Sequence, residues 1–136
     1  MLHTVITANG LSFAYGLKKV LCDFNLQVPR GTIYGLLGPN GCGKSTVLRL
    51  ILGQGRPFQG SLEVLGEDPA AHPVSTRRAI GYVPQQNDLD PRLTVDQTLN
   101  LFREVYGERW SAESAQECLR RFDLEARREE RVDKLS

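Results

Sequence analysis

The residues with the most chemistry in them are Gly38-Pro39-Asn40-Gly41-Cys42-Gly43-Lys44-Ser45-Thr46. They satisfy G-x-x-x-x-G-K-[ST], the spacing of a phosphate-binding loop. A polyphosphate offers many acceptor oxygens and several negative charges, so it calls for converging N–H donors and a nearby cation. Glycines let successive amides turn inward without a Cβ in the way. Lys44 supplies a positive charge for the terminal phosphates, and Ser45 offers a hydroxyl to a divalent cation. A helix starting near Gly43 would add the positive end of its dipole. Pro39 and Asn40 shape the loop rather than react. Thr46 either bonds a phosphate or caps the helix. A thiol at Cys42, beside Lys44 and a helix N-terminus, is expected to react readily. The competing dinucleotide fingerprint fails, because Gly41-x-Gly43 would need a small residue where Thr46 stands.

Elements on either side must hold this loop. Thr32-Ile33-Tyr34-Gly35-Leu36-Leu37 reads as a buried strand entering it, and Thr46 to Leu52 as a helix leaving it. Upstream, Val5-Ile6-Thr7 and Leu11 to Tyr15 read as short strands joined by a turn at Asn9-Gly10. Phe24 to Val28 alternates as a half-buried strand, and Pro29-Arg30-Gly31 turns the chain. Downstream, Ser61 to Leu65 and Ala79 to Val83 read as further strands, with a helical turn over Val74 to Arg78. Beyond Pro84 the periodicity becomes helical. Thr94-Val95-Asp96-Gln97 is a capping-box pattern ahead of an apolar face of Leu99, Phe102, Val105 and Tyr106. Ser111 is expected to cap a second helix that buries Leu119 and Phe122, and Leu124 to Lys134 reads as a short charged helix facing solvent.

Composition narrows the class. A chain of 136 residues with 40% hydrophobic content has the length of one domain and enough apolar material for a core. A net charge of +1 gives no nucleic-acid footprint, and no nucleic-acid partner is expected. No apolar run approaches the roughly 18 residues that cross a bilayer, and Met1 to Thr7 lacks the features of a signal peptide. Cys22, Cys42 and Cys118 form no C-x-x-C pair, so neither a zinc site nor a disulfide framework is expected. The expectation is a reduced, cytoplasmic domain.

With these pieces in order, the chain resembles the ATP-binding domain of ABC transporters. Three features besides the phosphate loop carry the resemblance. Leu11 to Gly16 followed by Val20-Leu21 looks like the aromatic A-loop. Ile80-Gly81-Tyr82-Val83-Pro84-Gln85, followed by Leu89, Pro91 and Leu93-Thr94-Val95, looks like the Q-loop region. Val132-Asp133-Lys134-Leu135-Ser136 looks like the approach to the signature motif L-S-G-G-Q. The resemblance implies an α/β fold: a P-loop NTPase core with an antiparallel β subdomain and a partial helical subdomain, ending before the Walker B strand. It divides the chain into residues 1–92, holding the β subdomain, core and Q-loop, and residues 93–136, the partial helical subdomain.

The same resemblance implies ATP and Mg²⁺ as cofactors, held by Tyr15 and by the loop Gly38, Pro39, Asn40, Gly41, Cys42, Gly43, Lys44, Ser45 and Thr46. Tyr15 would stack on adenine, the alternative being that it packs inward with Leu11 and Phe13. Ser45 and Gln85 would hold the metal, and Lys44 and Gln85 would act in hydrolysis; Gln86 is the alternative to Gln85. The implied partners are transmembrane permease subunits, met through the Q-loop region, and a second nucleotide-binding domain in a head-to-tail dimer. The location would be the inner face of the membrane. ABC-type ATPase activity coupled to transport is therefore expected of the family. Turnover by these residues alone is not, because no apolar strand ends in Asp or Asp-Glu as a Walker B strand and its catalytic glutamate would. The Glu67-Asp68 pair follows a stretch broken by Glu63 and Gly66. A nucleotide-binding module without turnover, and part of a non-transport ABC protein, are the alternative readings. A sheet lacking strands would leave apolar surface uncovered and favour aggregation.

Overall fold

The computed structural model describes residues 3–86, 89–107 and 111–135. The chain divides into two compact units, Met1–Tyr82 and Val83–Ser136.

The first unit is built on a long antiparallel hairpin. Strands β1 (Thr4–Tyr15) and β2 (Lys18–Pro29) pair along their length, and β3 (Gln59–Val64) pairs with the other edge of β1, giving the order β2-β1-β3. The hairpin turn is Gly16-Leu17, with Gly16 at φ 58°. The turn expected at Asn9-Gly10 is absent. There β1 runs on through a bulge, with the register shifting between Ala8 and Leu11. Gly10 takes φ 58° and donates its N–H to Asn25 Oδ1 at 2.8 Å. The left-handed geometry that makes Asn-Gly a turn signal serves a bulge equally well.

Helix α1 (Lys44–Ile51) lies on one face of this sheet. Its buried positions, Thr46, Val47, Leu50 and Ile51, form one stripe at helical spacing. Val47, Leu50 and Ile51 meet Ala8, Leu11, Phe13, Leu21, Leu26, Leu62 and Val64 from the strands in a single apolar cluster. Each large side chain buried there stabilises the fold by about 1.5–3 kcal/mol. A short helix, α2 (Pro73–Ala79), follows β3.

Two expected strands are not strands. Residues 32–37 and 80–83 join no sheet ladder among the described residues. Ile33 is 105% exposed, Leu37 91% and Val83 92%. Apolar, β-branched composition makes a segment ready to pair; only a neighbouring strand makes it a strand. Leu36 and Ile80 nevertheless pack against the core. Self-association of the 136-residue chain is the expected outcome of the uncovered surface, and size-exclusion chromatography against concentration checks it.

The second unit begins beside Gln85 and is mainly helical. Helix α3 (Val95–Tyr106) starts at the expected capping box: Thr94 N–H donates to Gln97 Oε1 at 2.9 Å, and Gln97 N–H to Thr94 Oγ1 at 3.2 Å. Helix α4 (Ala112–Arg121) is capped by Ser111, which accepts from Ser114 N–H at 3.2 Å. Leu119 is buried as expected, but Phe122 is exposed, because it sits one residue past the helix in its C-terminal turn. On α3 the buried residues are Val95 and Thr98, while Val105 and Phe102 reach solvent, so the inner face lies a turn nearer the N-terminus than the apolar pattern indicates. Leu124 to Lys134 forms two 3₁₀ turns, Glu125–Arg127 and Val132–Lys134, rather than one helix. The stretch from Arg128 to Val132, which joins them, is laced to the segment that starts α3. Val95 N–H donates to Glu130 O, Asp96 N–H to Arg128 O and Val132 N–H to Leu93 O, and Arg128 pairs with Asp96 at 2.9 Å.

Ahead of α3, the Arg92 side chain and main-chain N–H both bond the Asp90 carboxylate, lowering its pKa from 3.8 to about 2. A folded value below the unfolded one means the contribution is complete above pH 3.8 and is lost as pH falls through about 2. An NMR titration of the Asp90 carboxyl is expected to show that low midpoint, and Arg92→Ala, which keeps the main-chain N–H, to raise it part of the way toward the ordinary carboxylate range.

Candidate functional site

The loop that leaves residue 37 folds around its own lysine. Gly38, Gly41 and Gly43 take φ of 156°, 83° and 100°, turning the chain sharply before α1. Lys44, the first residue of α1, curls back so that Nζ donates to Gly38 O and Pro39 O, both at 2.7 Å. Cys42 N–H donates to Pro39 O at 3.4 Å, closing a turn inside the loop. Cys42 Sγ lies 3.8 Å from the lysine ammonium. Pro39, Asn40, Gly41 and Cys42 are all exposed, so the rim of the loop is open to solvent.

Gly43 is the hinge between loop and helix. Its φ lies in the left-handed region, and a Cβ there would come within 2.7 Å of Leu21 Cδ2 and 3.4 Å of the Val20 carbonyl. Only glycine lets the loop settle directly on β2. No side chain caps this helix start, and the first helical bond is Val47 N–H to Gly43 O at 2.9 Å. The amides of the first turn therefore point out of the helix end toward the loop. With the lysine ammonium, they put N–H donors and a positive charge at the same end of α1, the chemistry that suits a multiply charged anion. Ser45 is exposed on that turn; Thr46 is buried on the inner side of α1.

Tyr15 ends β1, where the strand hands over to the hairpin turn. Leu11 and Phe13 face the core, but Tyr15 is 47% exposed. Its ring stands edge-on to Phe13, with centroids 4.9 Å apart and planes at 86°. The Arg49 and Thr46 side chains, Arg49 first, hold its pKa below the ordinary tyrosine value. Tyr15 and the start of α1 are thus brought together, although 28 intervening residues separate Tyr15 from Lys44. Phe13 reads in the sequence only as a residue that packs inward with Leu11, and Arg49 went unnoticed. Arg49 reads there only as the outward-facing charge of an amphipathic helix, and no local signal distinguishes it.

Gln85 and Gln86 lie in the second unit, both exposed at a bend after Pro84. Ser45 and Gln85 each offer a neutral oxygen donor of the type a hard cation such as Mg²⁺ accepts. The expected Ser136 falls outside the described residues; Leu135 is half-buried after the last 3₁₀ turn. No helix among the described residues is long and apolar enough to cross a membrane.

Comparison with known proteins bears on the same residues. A family model described as "ABC transporter" matches residues 21–136. The daunorubicin resistance ATP-binding protein DrrA3 of Streptomyces coeruleorubidus is 41% identical over 126 residues, which are 91% of this chain and 40% of that protein. The Nod factor export ATP-binding protein I of Ralstonia nicotianae is 40% identical over 103 residues, 76% of this chain and 32% of that protein. The chain therefore spans well under half the length of these curated relatives. Among solved structures, an ATP-binding subunit of an ABC transporter superposes with a TM-score of 0.82 at 32% identity, over 98% of this chain and 56% of that one. CbiO1 of Clostridium perfringens, part of the transporter complex CbiONQ, gives a TM-score of 0.79 at 22% identity over 98% of this chain and 56% of its own, a likeness of fold alone.

Proposed function

The chain belongs to the ABC transporter family of ATP-binding proteins, with a partial α/β fold of that type, and from that premise we propose that it binds Mg-ATP at residues 38–46. The observation that carries the reading is the loop closed on Lys44 at the uncapped start of α1. In it, the amides of the first turn of α1 grip the phosphate chain, Lys44 exchanges its two carbonyl partners for β- and γ-phosphate oxygens, and Tyr15 offers its exposed ring to the adenine. Thr46, at the base of the first turn, takes the α-phosphate side. Ser45 would offer its hydroxyl to Mg²⁺, which when bound neutralises charge between the terminal phosphates.

Within the longer protein that its relatives represent, the activity proposed is ATP hydrolysis coupled to transport. Permease subunits would be met through the segment around Gln85, at the cytoplasmic face of the membrane, and a second nucleotide-binding domain would close head to tail over the nucleotide. The main-chain lacing of residues 91–96 to residues 128–133 supports this reading. It makes the segment after Gln85 and the approach to Leu135 one mechanical piece.

A second reading, a module that binds without turnover, is favoured by the state of the Glu67-Asp68 pair. Glu67 Oε2 accepts from Ser75 Oγ at 2.7 Å, and Asp68 Oδ1 accepts from Ala70 N–H at 2.8 Å. Both shape the turn into α2 and are exposed, and neither follows an apolar strand as a water-activating group would. Calorimetric titration with Mg-ATP, paired with a phosphate-release assay, tests both readings. Binding without release by these 136 residues is the expected pattern; no binding would overturn the proposal.

Cys42 gives an orthogonal test. Its thiol is exposed, packs against Gly38 and lies beside the lysine ammonium. Alkylation with a maleimide is expected to block ATP binding, and prior ATP to slow the labelling of Cys42 but not that of the equally exposed Cys22. Mass spectrometry of the labelled peptides reads the result. Unimpaired binding by protein labelled at Cys42 would count against the site.

A further inference from the structure

Tyr15 is held from two directions, and both holds refer it to the helix that carries Lys44. From inside, its edge meets the buried Phe13 ring. Phe13 in turn fits a space that exists because residue 55 is glycine. A Cβ on Gly55 would stand 3.2 Å from Phe13 Cε2 and 3.2 Å from Leu50 Cδ2. Leu50 is among the most deeply buried side chains of α1. From the solvent side, the Arg49 and Thr46 side chains, both on α1, stand near enough to the phenol oxygen to lower its pKa. An aromatic ring at a strand end beside a glycine would otherwise swing freely through its rotamers. These contacts fix it while leaving nearly half of its surface open.

We propose that Phe13, seated against Gly55, and Arg49 are positioning residues that hold the Tyr15 ring at a set distance from the phosphate loop, so that base and polyphosphate are received by one rigid frame built on α1. The proposal rests on the reading of residues 38–46 as a nucleotide site. It makes a distinction that a merely structural role does not. A residue that only stabilises the fold weakens every ligand together. A residue that positions the base platform weakens ligands that have a base and spares those that do not.

The test measures dissociation constants for Mg-ATP and for Mg-tripolyphosphate, which lacks base and sugar, by titration calorimetry. Wild type, Tyr15→Ala, Phe13→Leu and Arg49→Met are compared. Phe13→Leu keeps the core apolar, and Arg49→Met keeps the stem while removing the guanidinium. Tyr15→Ala sets the full effect, expected at about tenfold for Mg-ATP from the usual strength of base–aromatic stacking. Phe13→Leu and Arg49→Met are expected to reach about three- to fivefold for Mg-ATP, a fraction of that stacking effect, and to leave tripolyphosphate within about twofold. Arg49→Lys, which retains a donor, is expected to recover part of the loss. Equal weakening of both ligands, or no weakening of Mg-ATP, in Phe13→Leu and Arg49→Met overturns the positioning role. An unaltered Mg-ATP affinity in Tyr15→Ala removes the base platform, and the inference with it, while the phosphate loop stands. A wild-type protein that binds neither ligand overturns the underlying reading and the inference together.

Discussion

Lys44→Ala is expected to lower the affinity for Mg-ATP by about 10- to 100-fold, the range set by losing one hydrogen bond from a charged donor at about 1.5–3 kcal/mol. Two losses combine. The ammonium that would meet the phosphate oxygens is gone, and so are its bonds to Gly38 O and Pro39 O, which draw the loop closed. Lys44→Met separates them poorly, since it lacks both; Lys44→Arg keeps the charge but replaces a compact point donor with a planar fork. The global fold is not expected to suffer. The lysine head is at the exposed mouth of the loop, and the helix beneath it is anchored by Val47, Leu50 and Ile51. Calorimetry on variants with unchanged circular dichroism is the measurement. A Lys44→Ala protein that binds Mg-ATP within twofold of wild type would refute the assignment of this loop.

Gly60→Ala is expected to destabilise the first unit by about 3 kcal/mol, combining left-handed strain of about 1–2 kcal/mol with a main-chain collision. Gly60 sits in β3 at φ 82°, against the bulge of β1. A Cβ there would come 2.4 Å from Gly10 O and 2.5 Å from Asn9 O. Those atoms belong to the backbone of a neighbouring strand and cannot rotate aside. β3 would have to move away from β1, disturbing the packing of Leu62 and Val64 in the core. Urea unfolding monitored by far-ultraviolet circular dichroism reads the loss as a lowered midpoint at unchanged slope. An alanine variant as stable as wild type would show that the two strands are not so closely opposed.

Which features were legible in the sequence follows from how far apart the cooperating residues lie. The phosphate-loop candidate is written within residues 38–46, so its spacing alone raises that chemistry as an expectation, and the capping box at Thr94 and Gln97 is local in the same way. The bulge at Asn9-Gly10 was misread as a turn, because Gly10 answers to Gly60 and Asn25, fifty and fifteen residues away. Segments 32–37 and 80–83 have strand composition, yet pairing is a property of two segments, and the sequence of one does not report it. Phe122 shows the same limit on a smaller scale, since one residue past a helix end turns an inward position outward. The Tyr15 assembly lies furthest from what a linear reading can see. It needs β1, α1 and the loop at Gly55 to meet before Phe13 and Arg49 acquire any meaning.

The bonds from Lys44 to Gly38 and Pro39 also set a threshold for what the loop accepts. Because the ammonium starts out satisfied, an incoming anion must outcompete two carbonyl oxygens rather than fill an idle charge. A lone phosphate carries its oxygens on one phosphorus atom and has less reach, whereas a chain of three could meet the ammonium and the helix amides together. Selectivity for polyphosphate length would then arise from a lysine that is occupied from the outset, with no wall or gate needed to exclude shorter anions.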